Sequence, residues 1–438
     1  MKILTRPSIP SLRRSTSDRL LACLALSGCW CILATTPASA EPNDPSDLVA
    51  HEWGTFTTFH GPSGVSIPWY QPGSPRVSEL PGFVHPKISL LGKSRMRVTA
   101  RMETPVIYFY TASRRVVDVS VAYPEGTITE YFPKMDLEVG GWPGLELIPP
   151  GEAGDLALPL DPQRPDNHYF AARAVPEAAL VLRPGLAEET GEKSADELEK
   201  FLFYRGAGKL HSNLLTWIDE NEITLSWSAP AEPLEHVWVL QSSSETVGWK
   251  KIPAMLPFES STEGSQFPER TVVPYASLDE HSSRDQSVAA LRVSMQEALT
   301  EAGLTPAEAA AMVATWGDHW FEEPGCRVFS ILPRTHVDEQ LPLSLSPRPR
   351  ELARVFVHRA ELLGKETLQM LETSMAPDTA PEMAASLVRE AGLGRFIHGA
   401  MEFAADEVGR RTALEYRNRG WQAIEADRTS IEVSQRNP

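Results

Sequence analysis

Three short stretches hold the residues best suited to chemistry. The first is HEWGTF, His51 to Phe56, where an imidazole and a carboxylate adjoin in a segment of strand-like composition. Successive strand residues point to opposite faces, so His51 sides with Trp53 and Thr55, and Glu52 with Gly54 and Phe56. The pair cannot share a metal ion without a bulge. A structural role puts His51 in hydrogen bonds against Trp53 and pairs Glu52 with an arginine near a sheet edge. A functional role has one of the two lining a cleft with residues from elsewhere, Gly54 leaving room for a ligand or a second backbone.

The second stretch centres on Glu103, just ahead of Pro105 at the mouth of the apolar run Val106–Tyr110. A carboxylate there needs water or a cation, and Arg95, Arg97 and Arg101 are close in sequence, so a salt bridge is expected. The third runs from Asp318 to Glu323 and on to Arg327, Arg334, His336 and Asp338. On a helix, His319 shares a face with Glu322 or Glu323, a spacing that can ligate a metal. Pro324-Gly325 ends that helix, so a divalent ion would need a third ligand from His336 or Asp338, and no HExxH signature is present. The competing expectation is a charged helix end whose acids are neutralised by arginines.

Candidate catalytic residues are thus His51, Glu52, Glu103, His319 and Glu322; candidate metal ligands are His319, Glu323, His336 and Asp338. Trp69, Trp142 and Trp249 lie in Gly- or Pro-rich surroundings, and with Trp53 they are candidate platforms for stacking on sugar rings. Trp227 and Trp238 sit in clean strand patterns and are expected in the core. No GxSxG elbow, GxGxxG fingerprint or Walker loop occurs, and no cofactor is identified beyond a divalent metal as one possibility.

The elements that position these residues begin after an export leader. Residues 1–40 combine a basic start, an apolar run from Leu20 to Ala34 too short to span a bilayer comfortably, and the small-residue site Ala38-Ser39-Ala40. Within the run, Leu26-Ser27-Gly28-Cys29 has the residue types of a lipoprotein box. Cleavage after Ala40 and a lipid anchor at Cys29 therefore compete, and the apolar residues after Cys29 favour the former. Three of the four cysteines lie in the leader, so only Cys326 remains after cleavage and no internal disulfide is expected. The leader has five basic residues and one acidic residue, so its loss takes the net charge from -17 to -21. Such a surface repels phosphate backbones, which argues against nucleic acid as a partner.

Residues 41–138 read as an N-terminal antiparallel β region with a hairpin formed by Val117–Tyr123 and Thr127–Phe132. Residues 139–167 read as a Gly/Pro-rich connection, and 168–280 as a second, sandwich-type β region. Strands are expected at His168–Phe170, Ala179–Leu182, Ile223–Ser228 and Glu235–Leu240, with a short helix capped by Ser194 and Glu197. Residues 281–423 are helix-rich: Val288, Leu291, Met295 and Leu299 stripe one helix, and Thr305-Pro306-Ala307-Glu308 opens another with a capping box. Strands are expected there at Cys326–Leu332, at Leu341–Leu345 as an edge, and at Leu352–Leu363, where a helix is the alternative. Thr379 and Glu382 form a further cap pattern, and 424–438 is a polar tail. The fold class is α+β, with antiparallel, sandwich-like β regions first and helices collected in the C-terminal third.

The blocks HEWGTFTTF, METPVIYFYT, EKFLFYRG, HWFEEPGCRVFSILPR and VDEQLPL resemble a family of uncharacterised exported bacterial proteins whose mature region begins with HEWGTF. That resemblance spans most of the mature chain and implies export, without implying an activity. The expected function is non-catalytic binding of a glycan or another protein in the periplasm or at the cell surface. A metal-assisted or carboxylate-based hydrolase is the alternative.

Overall fold

HEWGTF becomes part of a twelve-residue strand, β1 (Val49–His60), buried at every position from Ala50 onward. A computed structural model describes residues 47–69, 80–87, 98–154, 156–185, 194–258, 269–280, 283–407, 418–420 and 422–424. The export segment with Cys29, residues Arg95 and Arg97, and nearly all of the polar tail lie outside these.

After β1 the chain forms β2 (His85–Pro86), β3 (Ala100–Tyr110), β4 (Arg115–Val121), β5 (Gly126–Phe132), β6 (Gly141–Ile148), β7 (Leu180–Arg183), β8 (Glu197–Glu199) and β9 (Leu202–Gly208). It continues through β10 (Leu214–Ile218), β11 (Glu222–Trp227), β12 (Val237–Ser242), β13 (Val247–Ile252), β14 (Arg270–Pro274), β15 (Asp279–Glu280), β16 (Gly325–Ile331), β17 (Leu343–Ser346) and β18 (Glu351–Leu362). The helices are α1 (Arg284–Glu301), α2 (Pro306–Gly317), α3 (Arg334–Gln340), α4 (Lys365–Ser374), α5 (Pro381–Glu390) and α6 (Ile397–Glu407). None of the described helices is long and apolar enough to cross a membrane.

The main sheet has the strand order β15-β13-β12-β16-β18-β1-β3-β9-β5-β2 and draws on the 41–138, 168–280 and 281–423 regions alike. At its centre β1 runs antiparallel to β3 but parallel to β18, and such parallel neighbours need a long crossover connection. On one face Trp53 and Val355 pack with Leu291, Met295 and Met312 of α1 and α2. On the other, Phe56, Met102 and Ile107 meet Val117, Val119 and Leu145 of a second sheet ordered β17-β4-β6-β7-β8. That face-to-face packing is the sandwich element of an α+β fold. A small sheet, β10-β11-β14, covers the β12–β16 end, and α4 to α6 close over Phe59.

Several local expectations are corrected. Both strands of the expected hairpin form, but β4 pairs with β6 and β17 while β5 pairs with β9 and β2. Val117, Val119 and Val121 face Ile128 and Tyr131 across one apolar core, so the turn carries the chain between sheets. The Gly/Pro-rich connection contains β6, whose Pro143-Gly144 is accommodated by a bulge with Gly144 at φ 67°. His168–Arg173 is a short 3-10 helix because the Asn167 side chain accepts the Tyr169 N–H. The helix expected after Ser194 is β8 instead, and the Glu197 carboxylate is engaged by His85 and the Lys134 N–H. Thr379 does not cap α5; its hydroxyl donates to the Thr373 carbonyl. The capping box of α2, the edge position of β17 and the strand at β18 follow the pattern read from sequence.

Candidate functional site

His51 and Glu52 do lie on opposite faces of β1. His51 turns to α2, where its Nδ1 is 2.9 Å from Glu308 Oε2; the other Glu308 oxygen accepts the Tyr110 hydroxyl at 2.6 Å. Glu308 is also the capping-box residue of α2, so one buried carboxylate ties the helix start to two strands. An ionised carboxylate only accepts, so His51 Nδ1 is the donor and Nε2 is left without a hydrogen-bond partner.

On the opposite face, Glu52 accepts the Tyr204 hydroxyl and the Nε–H of Arg354, the latter at 2.5 Å. Arg354 Nη1 continues at 2.7 Å to Asp338, which pairs in turn with Arg334 at 2.8 Å. Burial is the largest single influence and works against the Arg354 charge, yet Glu52, Tyr204 and Asp338 together outweigh it and hold the guanidinium above its ordinary range. Burial, and then Glu52, push the Tyr204 phenol upward as well. Glu52 thus has an arginine partner, but at the middle of the sheet rather than near its edge, because β1 and β18 are both interior strands. The room expected beside Gly54 is filled: a Cβ there would meet Phe356 at 2.6 Å and Pro105 at 3.1 Å.

Glu103 lies inside β3 rather than at its mouth. Opposite Gly54, β3 carries an extra residue, and Thr104 adopts φ 50°, the one positive φ of a non-glycine residue among those described. This bulge turns Glu103 toward Arg395, Arg101 and the Thr57 hydroxyl, the last two at 3.4 and 2.7 Å. Burial would raise its carboxyl, but Arg395 and Arg101 together with Thr57 hold it down at about 2. Nearby, burial and then Arg205 press His168 down to about 3.

His319 and Glu323 do meet, at 2.8 Å, on a π-helical turn continuing α2. Glu323 also accepts from Arg359 at 2.6 Å, while Glu322 goes to Arg292 and Arg284. His336 and Asp338 belong to α3, with Asp338 taken up by Arg334 and Arg354. Among the described residues no group of three or more His, Cys, Asp or Glu side chains is set to hold a metal ion, so the four candidate ligands are not assembled. Trp53, Trp69 and Trp142 are buried. Trp69 packs on Phe396 with ring centroids 4.6 Å apart, and Trp142 donates its indole N–H to the Pro133 carbonyl. Trp249 is half-buried and donates to the Ser287 carbonyl.

Sequence reasoning missed two arrangements. Thr58 Oγ1 sits between His60 Nε2 at 2.7 Å and His358 Nε2 at 2.8 Å, a relay whose only signal is hydroxyl and imidazole two residues apart on one strand. The other is a cleft of about 360 Å³, open to solvent, where Arg354 and Val355 of β18 meet Pro333-Arg334, the Glu232–His236 segment and Ala302. Its sequence signal was Arg354 itself, a charge abutting the apolar run Val355–Val357. Through Arg354, the cleft is braced by Glu52 of HEWGTF.

No family model matches the chain, and no curated protein matches it. Among solved structures, the chain is similar to an Fcho1 Mu homology domain from Danio rerio with bound Eps15 peptide. That likeness is 9% identical, covers 74% of this chain and 99% of that one, and has a TM-score of 0.27, too low to carry an argument.

Proposed function

We propose that this protein is exported and works as a non-catalytic binding module that receives part of a partner protein in the cleft beside Arg354. The observation carrying this reading is the brace itself: buried Tyr204 and Glu52 on one side and the exposed Asp338 on the other fix the Arg354 guanidinium at the wall of an open cleft. Preorganised polar groups beside an apolar wall are what a recognition site needs. Acid–base catalysis has less support, because Glu103 at about 2 and His168 at about 3 are far from the neutral range where a proton shuttle works. Glycan stacking is weakened by the burial of Trp53, Trp69 and Trp142. The hydrolase alternative retains one point in its favour, the Glu308-oriented His51 with an unpartnered Nε2.

Export rests on the leader and on the resemblance to exported HEWGTF proteins. Mass spectrometry of the N-terminus tests it: a free Glu41 supports cleavage after Ala40, a lipidated Cys29 supports anchoring, and an intact leader in producing cells refutes both. For binding, the test is cross-linking to partners in producing cells, comparing the parent with Ala302→Trp, which fills the cleft. Capture unaffected by that substitution would remove the cleft from the proposal.

A further inference from the structure

The geometry points to a specific ligand for this cleft: the free C-terminal carboxylate of a polypeptide with an apolar last side chain and a basic residue shortly before it. This rests on the binding-module reading above and names the part of the partner that is recognised.

Arg354 supplies the first reason. Its Nε serves Glu52 and its Nη1 serves Asp338, but Nη2 is buried without a hydrogen-bond partner. A buried donor left without an acceptor is destabilising, so a fold that keeps one beside a cleft gains when a ligand supplies the acceptor. A second orphan belongs to the same lining: His236 Nδ1 is buried and unbonded, with the Glu301 carboxylate 3.9 Å away. Both residues line the cleft. A carboxylate, with two oxygens and several lone pairs, is the acceptor that matches a guanidinium.

The wall and the rim define the rest of the ligand. Pro233, Ala302, Ile331 and Val355 provide apolar surface for one aliphatic side chain. Glu232 and Glu235 also line the cleft, and Arg354 is already balanced by Glu52 and Asp338. A lone anion would be repelled by those two acids, whereas a ligand that adds a cation near its carboxylate complements them. Because the cleft is open rather than enclosed, a chain can leave it, which suits a polypeptide end better than a free amino acid.

The test is fluorescence anisotropy of the full chain with a labelled peptide ending Lys-Ser-Leu, as free acid and as C-terminal amide. The free acid is expected to bind, the amide at least about tenfold more weakly, the loss of one charge-assisted hydrogen bond. Ala302→Trp should weaken the acid, and Glu235→Lys, at an exposed position, should remove the preference for lysine over a neutral residue. Equal binding of acid and amide, with sensitivity to Ala302→Trp retained, would overturn the C-terminal assignment and leave the binding-module reading standing. Free leucine competing as well as the peptide would overturn it in favour of an amino-acid site. Failure of every peptide, acid or amide, would sink both the assignment and the peptide-receiving cleft.

Discussion

Glu52 and Arg354, 302 residues apart, form an ion pair at 2.5 Å across the parallel junction of β1 and β18, with side chains 0% and 1% exposed. Removing one partner of such a pair strands a charge, a loss of about 3–5 kcal/mol, whereas replacing both with apolar groups is far milder. Glu52→Ala is therefore expected to lower the urea midpoint sharply, and Glu52→Leu combined with Arg354→Leu to recover much of the difference. A single substitution no worse than the double would show that the pair does not carry this load.

Gly54 is required by contact rather than by conformation. Alanine there would set its Cβ 2.6 Å from a Phe356 ring atom in a fully buried site, overpacking that costs about 1–3 kcal/mol. Gly54→Ala should destabilise the protein, and adding Phe356→Leu should return part of the loss; thermal unfolding of the two variants checks both statements.

Stability should fall as the medium turns mildly acidic. Burial, assisted by Arg205 at His168 and by His60 at His358, holds both imidazoles at about 3, below the ordinary value of 6.5. The unfolded chain then binds more protons, so this contribution is complete above about 6.5 and is lost as pH drops toward about 3. Glu103, held at about 2, adds a further loss below its ordinary 4.5. Unfolding followed by calorimetry between pH 7 and 5 should show a declining midpoint with proton uptake; a flat profile would contradict the neutral histidines.

Cys326 should be inert in the folded protein. It is buried in β16, and burial pushes its thiol up to about 12, so little thiolate forms at neutral pH. Maleimide labelling with peptide mapping is expected to leave Cys326 unmodified until denaturant is added.

Periodicity and caps already determined which segments become helices and strands wherever the rule is local. The α1 stripe, the Thr305–Glu308 capping box and the alternation of β11 are set by neighbours within a turn or two, so the residues themselves carry them. Strand geometry likewise separated His51 from Glu52 before any fold was known. Pairing across the chain was not legible, because a strand's pattern says which face is buried and not which strand lies beside it. Hence β4 and β5 read as a hairpin although they face each other from two sheets. Glu103, expected at a strand mouth, owes its place to a bulge at Thr104, and its strongest partner, Arg395, comes from 292 residues away. HEWGTF shows the division most plainly. The sequence determined that its carboxylate points away from its imidazole; only the parallel register of β1 with β18 decided that the carboxylate would brace Arg354 beside an open cleft.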